Sequence, residues 1–196
     1  MLTQLATVKA RLGLLESETQ YDDLLMRAIE AFSARFEREC NRTFGRTVGV
    51  CQEFLAGEIE IPVGCYPIEA VTKFELKSSE SAGWVEQSGV DYLVRARCVI
   101  SLAVPLGPLR SSGTLARVTY TGGYVVPGAT VGTGQAALPA ELENAAVEQV
   151  AFWFARRESQ GVIRIWPSGG NYTQLVDTDL LPAVRAVLRR YTRFSI

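Results

Sequence analysis

PAELENAAVEQVAFWFARRE, residues 139–158, reads as a helix with little polar surface. Pro139 suits the first turn, and Glu141 and Glu143 complement the positive end of the helix dipole. Arg156 and Arg157 complement the negative end. Phe152, Trp153 and Phe154 are consecutive, so at ~100° per residue they cover about 200° of the circumference. One side of a small core does not satisfy that much apolar girth. Such a helix is central in its own chain or shared with a neighbouring subunit.

Toward the N-terminus the period changes to two. Residues 50–55, 58–63, 69–77, 84–95, 98–104 and 114–121 read as short strands. Turn signals separate them at Gly57, Gly64, Pro67, 78–83, Gly89, 107–108 and 111–113. In 69–77, Val71, Phe74 and Leu76 alternate with Lys73, Glu75 and Lys77, which predicts one wet face. Residues 125–137 carry Gly and small residues without periodicity and read as an exposed loop. Before the strands, 21–42 is a helix. Its apolar stripe is Leu25, Ile29, Phe32, Phe36 and Cys40, with Asp22 and Asp23 in the first turn and Arg35–Glu39 as an i,i+4 pair. A short helix at 3–12 has Thr3 as N-cap, buries Leu5, Val8 and Leu12, and stops at Gly13. Beyond 158 the chain is irregular to 178. A last helix at 180–192 sets Leu181, Val184, Leu188 and Tyr191 on one side.

The order is helix, strands, helix, which implies an α+β fold: a helical bundle body of three to four helices with an inserted small antiparallel β-sheet or barrel module. The expected division is 1–46 (N-terminal part of the body), 47–124 (β module), 125–137 (loop), 138–158 (third body helix) and 159–196 (loop and C-terminal helical arm). A chain of 196 residues buries roughly 70% of its unfolded surface and needs no metal or disulfide staple. Cys40, Cys51, Cys65 and Cys98 contain no CxxC pair and read as four mostly buried, reduced thiols. No signal peptide or membrane span is legible, so the expectation is a soluble chain made in the cytoplasm, without membrane contact.

Chemistry is scarce. Histidine is absent, which removes the commonest general base and zinc ligand and excludes a Ser-His-Asp triad. No phosphate-binding glycine motif and no nucleophile elbow is present. Glu58 with Glu60, and Glu141 with Glu143, are candidates for acid–base work by sequence proximity only. Strand alternation and a helix first turn explain both. The expectation is therefore no catalytic residue, no cofactor and no metal. Net charge is −1, which argues against a protein whose main work is neutralising DNA phosphates. The charge is uneven, however: residues 155–196 carry a local +4. Arg185, Arg189 and Arg193 recur at i,i+4 beside Arg190. Three readings stand: a solvated face complementing the helix dipole, contact with an acidic protein partner, and contact with DNA. A reading of another class is a glycan- or protein-binding β module on a helical stalk, with Trp84, Tyr92 and Tyr124 as stacking platforms.

The order of motifs resembles the head–tail connector (adaptor, or head-completion) proteins of tailed bacteriophages and gene transfer agents. The residues that carry the resemblance begin with Leu5, Val8, Lys9 and Leu12, then Asp22-Asp23-Leu24-Leu25 and Phe36-Glu37 through Cys40-Asn41-Arg42. Ile61-Pro62, Tyr66-Pro67-Ile68, Val71 and Asp91-Tyr92 follow. Val118-Thr119-Tyr120-Thr121-Gly122-Gly123-Tyr124 is similar to the family's V-x-Y-x-x-G-Y strand, and Leu138-Pro139 with Leu142 opens the third helix. The resemblance spans about 3–158. It implies a non-enzymatic homo-oligomeric ring in the virion neck, commonly of twelve subunits. The ring sits under the portal protein and meets a tail-side neck, stopper or tail terminator protein, and DNA passes through the lumen without sequence-specific binding. On that reading Phe32, Phe36, Phe152, Trp153 and Phe154 serve the core and subunit packing, and Arg185, Arg189, Arg190 and Arg193 form a partner-binding arm.

Overall fold

A computed structural model describes residues 1–107, 114–157 and 179–193. The irregular stretch expected at 159–178 and the turn expected at 111–113 lie outside the described residues. Among the described residues there are four helices and two antiparallel sheets, an α+β fold. The helices are α1 (Leu5–Leu12), α2 (Asp22–Glu39), α3 (Ala140–Ala155) and α4 (Pro182–Arg189). The strands are β1 (Thr47–Leu55), β2 (Glu60–Pro62), β3 (Ile68–Lys77), β4 (Val85–Gln87), β5 (Tyr92–Arg95), β6 (Val99–Leu102) and β7 (Leu115–Gly122). Two compact units result: Met1–Cys40 with Pro139–Thr192, and Asn41–Leu138 with Arg193.

In the helical unit α3 packs against α1, α2 and α4, so its apolar girth is taken up by three neighbours within the same unit. Val8, Leu25, Ala28, Ile29, Val147, Val150 and Phe154 form the core. Gly13, at φ +71°, closes α1 in the left-handed conformation that a residue with a Cβ resists. Thr3 is not the N-cap of α1: Gln4 holds that position, and Thr3 is buried. The second helix stops at Glu39, short of the expected 42, because Asn41 turns left-handed at φ +49°. Lys9 is buried, and its ammonium donates to the carbonyls of Glu16 (3.0 Å) and Glu18 (2.8 Å) and to Asp22 Oδ1 (2.9 Å). Charge-assisted bonds of this kind tie the α1–α2 loop to the helix before it.

The other unit holds a four-stranded sheet in the order β1-β7-β3-β4 and a three-stranded sheet in the order β2-β6-β5. Both contribute to one core containing Phe54, Ile61, Val63, Phe74, Ile100, Val118 and Tyr120. The expected strand at 84–95 is two strands in different sheets, β4 and β5, separated at Gly89 with φ +69°. The first strand starts three residues early, because a register shift between Thr47 and Val50 admits Gly49 at φ +71° as a bulge. The base of the 125–137 segment is tied by a bridge between Val125 and Ala137, while 128–134 is exposed. The cysteine expectation is only half met. Cys40 and Cys65 are buried, Cys98 is half-buried and Cys51 is exposed, on the outer face of edge strand β1 beside Thr119. All four are free thiols.

Candidate interaction surface

The C-terminal half of α2 and the whole of α4 frame a run of hollows on the helical unit. One, of about 240 Å³, is lined by Glu39, Leu180, Arg185, Leu188, Arg189 and Thr192. Its neighbours add Arg35 and Arg38 on one side and Asp179, Pro182 and Ala186 on the other. Leu180 and Leu188 are buried beneath the hollow, and its exposed lining is charged and polar. Arg35 Nη2 donates to Asp179 Oδ1 at 2.7 Å and lies 3.8 Å from Glu39. Arg185 pairs with the other oxygen of Asp179. One carboxylate thus serves two guanidinium groups, while Arg38 and Arg189 are exposed and form no ion pair among the described residues.

The remaining arginines expected on this arm go elsewhere. Arg190 reaches Glu141 on α3 at 3.1 Å, and Tyr191 also donates to that carboxylate. Arg193 is not part of the helical face. The helix ends at Arg189, Thr192 Oγ1 returns to Leu188 O at 3.1 Å, and the chain leaves the helical path. Arg193 belongs to the β-containing unit, where its Nη2 donates to Pro62 O at 2.7 Å. The i,i+4 alignment with Arg185 and Arg189 therefore breaks at the helix end.

Within the aromatic set, Phe36 and Phe154 are buried, and Phe32, Phe152 and Trp153 are half-buried. Phe154 meets the edge of Tyr21 at 5.1 Å, with Arg157 lying 4.3 Å above the Phe154 ring. Trp153 packs edge-on against Phe32 at 6.4 Å. Phe152 turns away from that core, with the Arg156 guanidinium 4.8 Å from its ring.

The outer face of the four-stranded sheet is not simply wet. Glu75 is 5% exposed, contrary to its expected polar face, because Arg117 clamps it at 2.6 and 2.9 Å and Lys73 approaches to 3.1 Å. Arg117 also lies 4.3 Å over the Trp84 ring. The two cations, Arg117 foremost, hold the Glu75 carboxyl down at about 2 against its ordinary 4.5. Only the register, which sets Glu75 opposite Arg117, makes this pair; sequence spacing does not reveal it. Burial pushes the Tyr120 phenol up to about 12, and its oxygen accepts the Cys65 N–H at 3.0 Å. Arg42, 5% exposed, lies 3.3 Å over the Tyr66 ring and 4.8 Å from Phe44, a stacked pillar that sequence reading missed.

The three rings considered as stacking platforms stand in different settings. Trp84 lies under Arg117 on the outer face of the sheet, whereas Tyr92 touches Phe74, at 5.5 Å, on the opposite face. Tyr124 is half-buried, 5.5 Å from the Arg42 guanidinium. One carboxylate of each pair is similarly occupied. Glu60 accepts from Ser101 and Arg95, each at 2.7 Å, which lowers its proton affinity, and Glu141 is held by Arg190 and Tyr191. Among the described residues no group of three His, Cys, Asp or Glu is placed to hold a metal ion, and no helix is long and apolar enough to cross a membrane.

No protein-family model matches the chain, and no curated protein matches it in sequence. Solved structures do match in fold. A chain in the virion of the native gene transfer agent (GTA) particle superposes with a TM-score of 0.63 at 16% identity, covering 100% of this chain and 91% of that one. A chain in the neck of the empty GTA particle, determined with C6 symmetry, gives 0.61 at 15% identity with the same coverage. A chain in the neck of the native GTA particle, determined with C12 symmetry, gives 0.54 at 15% identity and covers 93% of that chain. From end to end, this chain has the fold of GTA neck chains, the group to which its connector-like motifs pointed.

Proposed function

We propose that this chain is a structural head–tail adaptor of a tailed phage or phage-like particle. Copies form a ring under the portal protein, extend the DNA channel and present the surface to which the tail-side neck, stopper or terminator protein attaches. The observation that carries the reading is the fold shared over the whole of this sequence with GTA neck chains. The symmetry of those necks supports a ring of copies, and twelve is the number favoured here. On this reading the work is mechanical and the chain is not an enzyme. Phe154 and Phe36 hold the helical body, and Phe32, Phe152 and Trp153 reach its surface, where neighbours pack. The basic face of α4, Arg185 and Arg189 with Arg190, meets portal or ring partners, and Arg193 braces the β-containing unit through Pro62.

The test is direct imaging. Necks purified from the particle that encodes this chain, with the chain carrying a small terminal tag, are classified by electron microscopy. The expected result is a rotationally symmetric ring between portal and tail bearing one tag per subunit. Tagged chain recovered only as a single copy per neck, or only off the particle, would overturn the reading.

A further inference from the structure

The groove framed by α2 and α4 holds more positive charge than its own residues balance. Arg35 and Arg38 stand three apart near the end of α2, and Arg185 and Arg189 four apart on α4, so each helix turns two guanidinium groups to one side. All four line the adjoining hollows, together with two carboxylates, Glu39 and Asp179. Asp179 is shared by Arg35, at 2.7 Å, and Arg185, and Glu39 lies 3.8 Å from Arg35. Arg38 and Arg189 remain: both are exposed, and neither forms an ion pair among the described residues. The local excess is two positive charges, four guanidinium groups against two carboxylates.

We infer that an acidic segment of a partner protein occupies this groove, with Asp or Glu side chains reaching Arg38 and Arg189. The inference rests on the adaptor reading and names the chemistry of the partner that the basic face of α4 meets. Charge complementarity sets the sign of the occupant, and the form of the groove sets its class. Guanidinium forks pair with carboxylates through two parallel hydrogen bonds, so one acidic side chain satisfies one arginine. Asp179 already holds Arg35 and Arg185 in place, which lowers the ordering cost when a partner arrives. A duplex would carry its dense row of phosphates over Glu39 and Asp179 as well as over the arginines, and like charges repel. Single acidic side chains instead enter between those carboxylates, and the hollow of about 240 Å³ has room for them.

Two measurements test it, the first without the particle. A fluorescent octaglutamate peptide is titrated into the free chain at low salt, with a duplex DNA oligonucleotide of equal charge as competitor. Wild-type chain is expected to bind the peptide roughly tenfold or more tighter than a chain carrying Arg38→Glu with Arg189→Glu, and tighter than it binds the DNA. Both positions are exposed, and thermal melts check that the variant folds. In purified necks, p-benzoylphenylalanine in place of the exposed Ala186, which lines the same groove, is expected to cross-link an Asp- or Glu-bearing stretch of another neck protein. Lysines in place of those acids weaken the cross-link, and pairing them with the Arg38/Arg189 variant restores it. Equal peptide binding by wild type and variant, or tighter binding of the DNA, overturns the inference. So does a cross-link confined to DNA, to another copy of this chain or to a stretch without acids, and so does no cross-link at all. A chain that binds octaglutamate as expected but is absent from purified necks supports the acidic occupant and overturns the adaptor reading instead.

Discussion

Glu75 shows how a single residue depends on neighbours that sequence spacing does not connect. Its side chain is 7% exposed, against 24% for Arg117, so the carboxylate is the member of the pair that has left water. A buried carboxylate is tolerable only while a cation and further hydrogen bonds replace its hydration, and Arg117 with Lys73 does this. Because the folded-state value is about 2 against an ordinary 4.5, the stabilisation is fully present above about pH 4.5 and is lost as pH falls toward 2. Glu75→Gln is therefore expected to cost roughly 2 kcal/mol at neutral pH, the scale of a charge-assisted hydrogen bond. The gap between variant and wild type should close by roughly half near pH 3. Urea unfolding at the two pH values measures both. An unchanged gap would mean that Glu75 is held in place by packing and not by its charge. Glycine makes the same point through space. A Cβ on Gly122 would stand 2.4 Å from the Cys65 carbonyl oxygen and one on Gly123 2.5 Å from that of Gly45, so the paired glycines after Tyr120 allow backbone to lie against backbone.

At the scale of elements, α3 separates the two roles that its three consecutive aromatics suggest. Phe154 is buried against Tyr21 and the α1–α2 core, whereas Phe152 is half-exposed beneath Arg156. Phe154→Ala is expected to destabilise the chain by about 3–4 kcal/mol, the usual cost of emptying a core phenylalanine site. Phe152→Ala should cost under about 1 kcal/mol. Denaturant titration of the isolated chain separates them, and equal losses would place Phe152 in the core too. The helices were legible because their stripes recur every three or four residues, as Leu25, Ile29 and Phe36 do, and because Gly13 marks a stop. Where the reading failed, a non-periodic event intervened. Asn41 ended α2 by its own dihedral, and Gly89 divided an apparently continuous strand between two sheets. The end of α4 left Arg193 off the face that its spacing predicted. The basic hollow was half legible: Arg185 and Arg189 stand out in sequence, but Arg35 and Arg38 join them only through the packing of the helical unit.

For the whole molecule, the balance of charge bears on what a DNA channel requires. On the adaptor reading, a subunit whose net charge is −1 over 196 residues is expected to have no broad basic surface with which to grip phosphates. That suits a lumen through which DNA must slide, since every phosphate gripped would have to be released during passage. Arginines that a DNA-binding protein would aim at the duplex are instead spent within the chain: Arg117 on Glu75, Arg46 on Glu69, Arg11 on Glu148 and Arg190 on Glu141. The protein is thus expected to act after packaging, by completing the channel and not by driving DNA through it. Particles made without this chain should fill their heads with nuclease-protected DNA at the wild-type rate during assembly. They should then lose it on release from the portal motor, and remain tailless in micrographs. Nuclease protection and tail counts, scored on the same preparation, check the two halves separately. Heads that never fill would move the chain's role upstream to packaging, and normally tailed, DNA-retaining particles would remove it from the neck altogether.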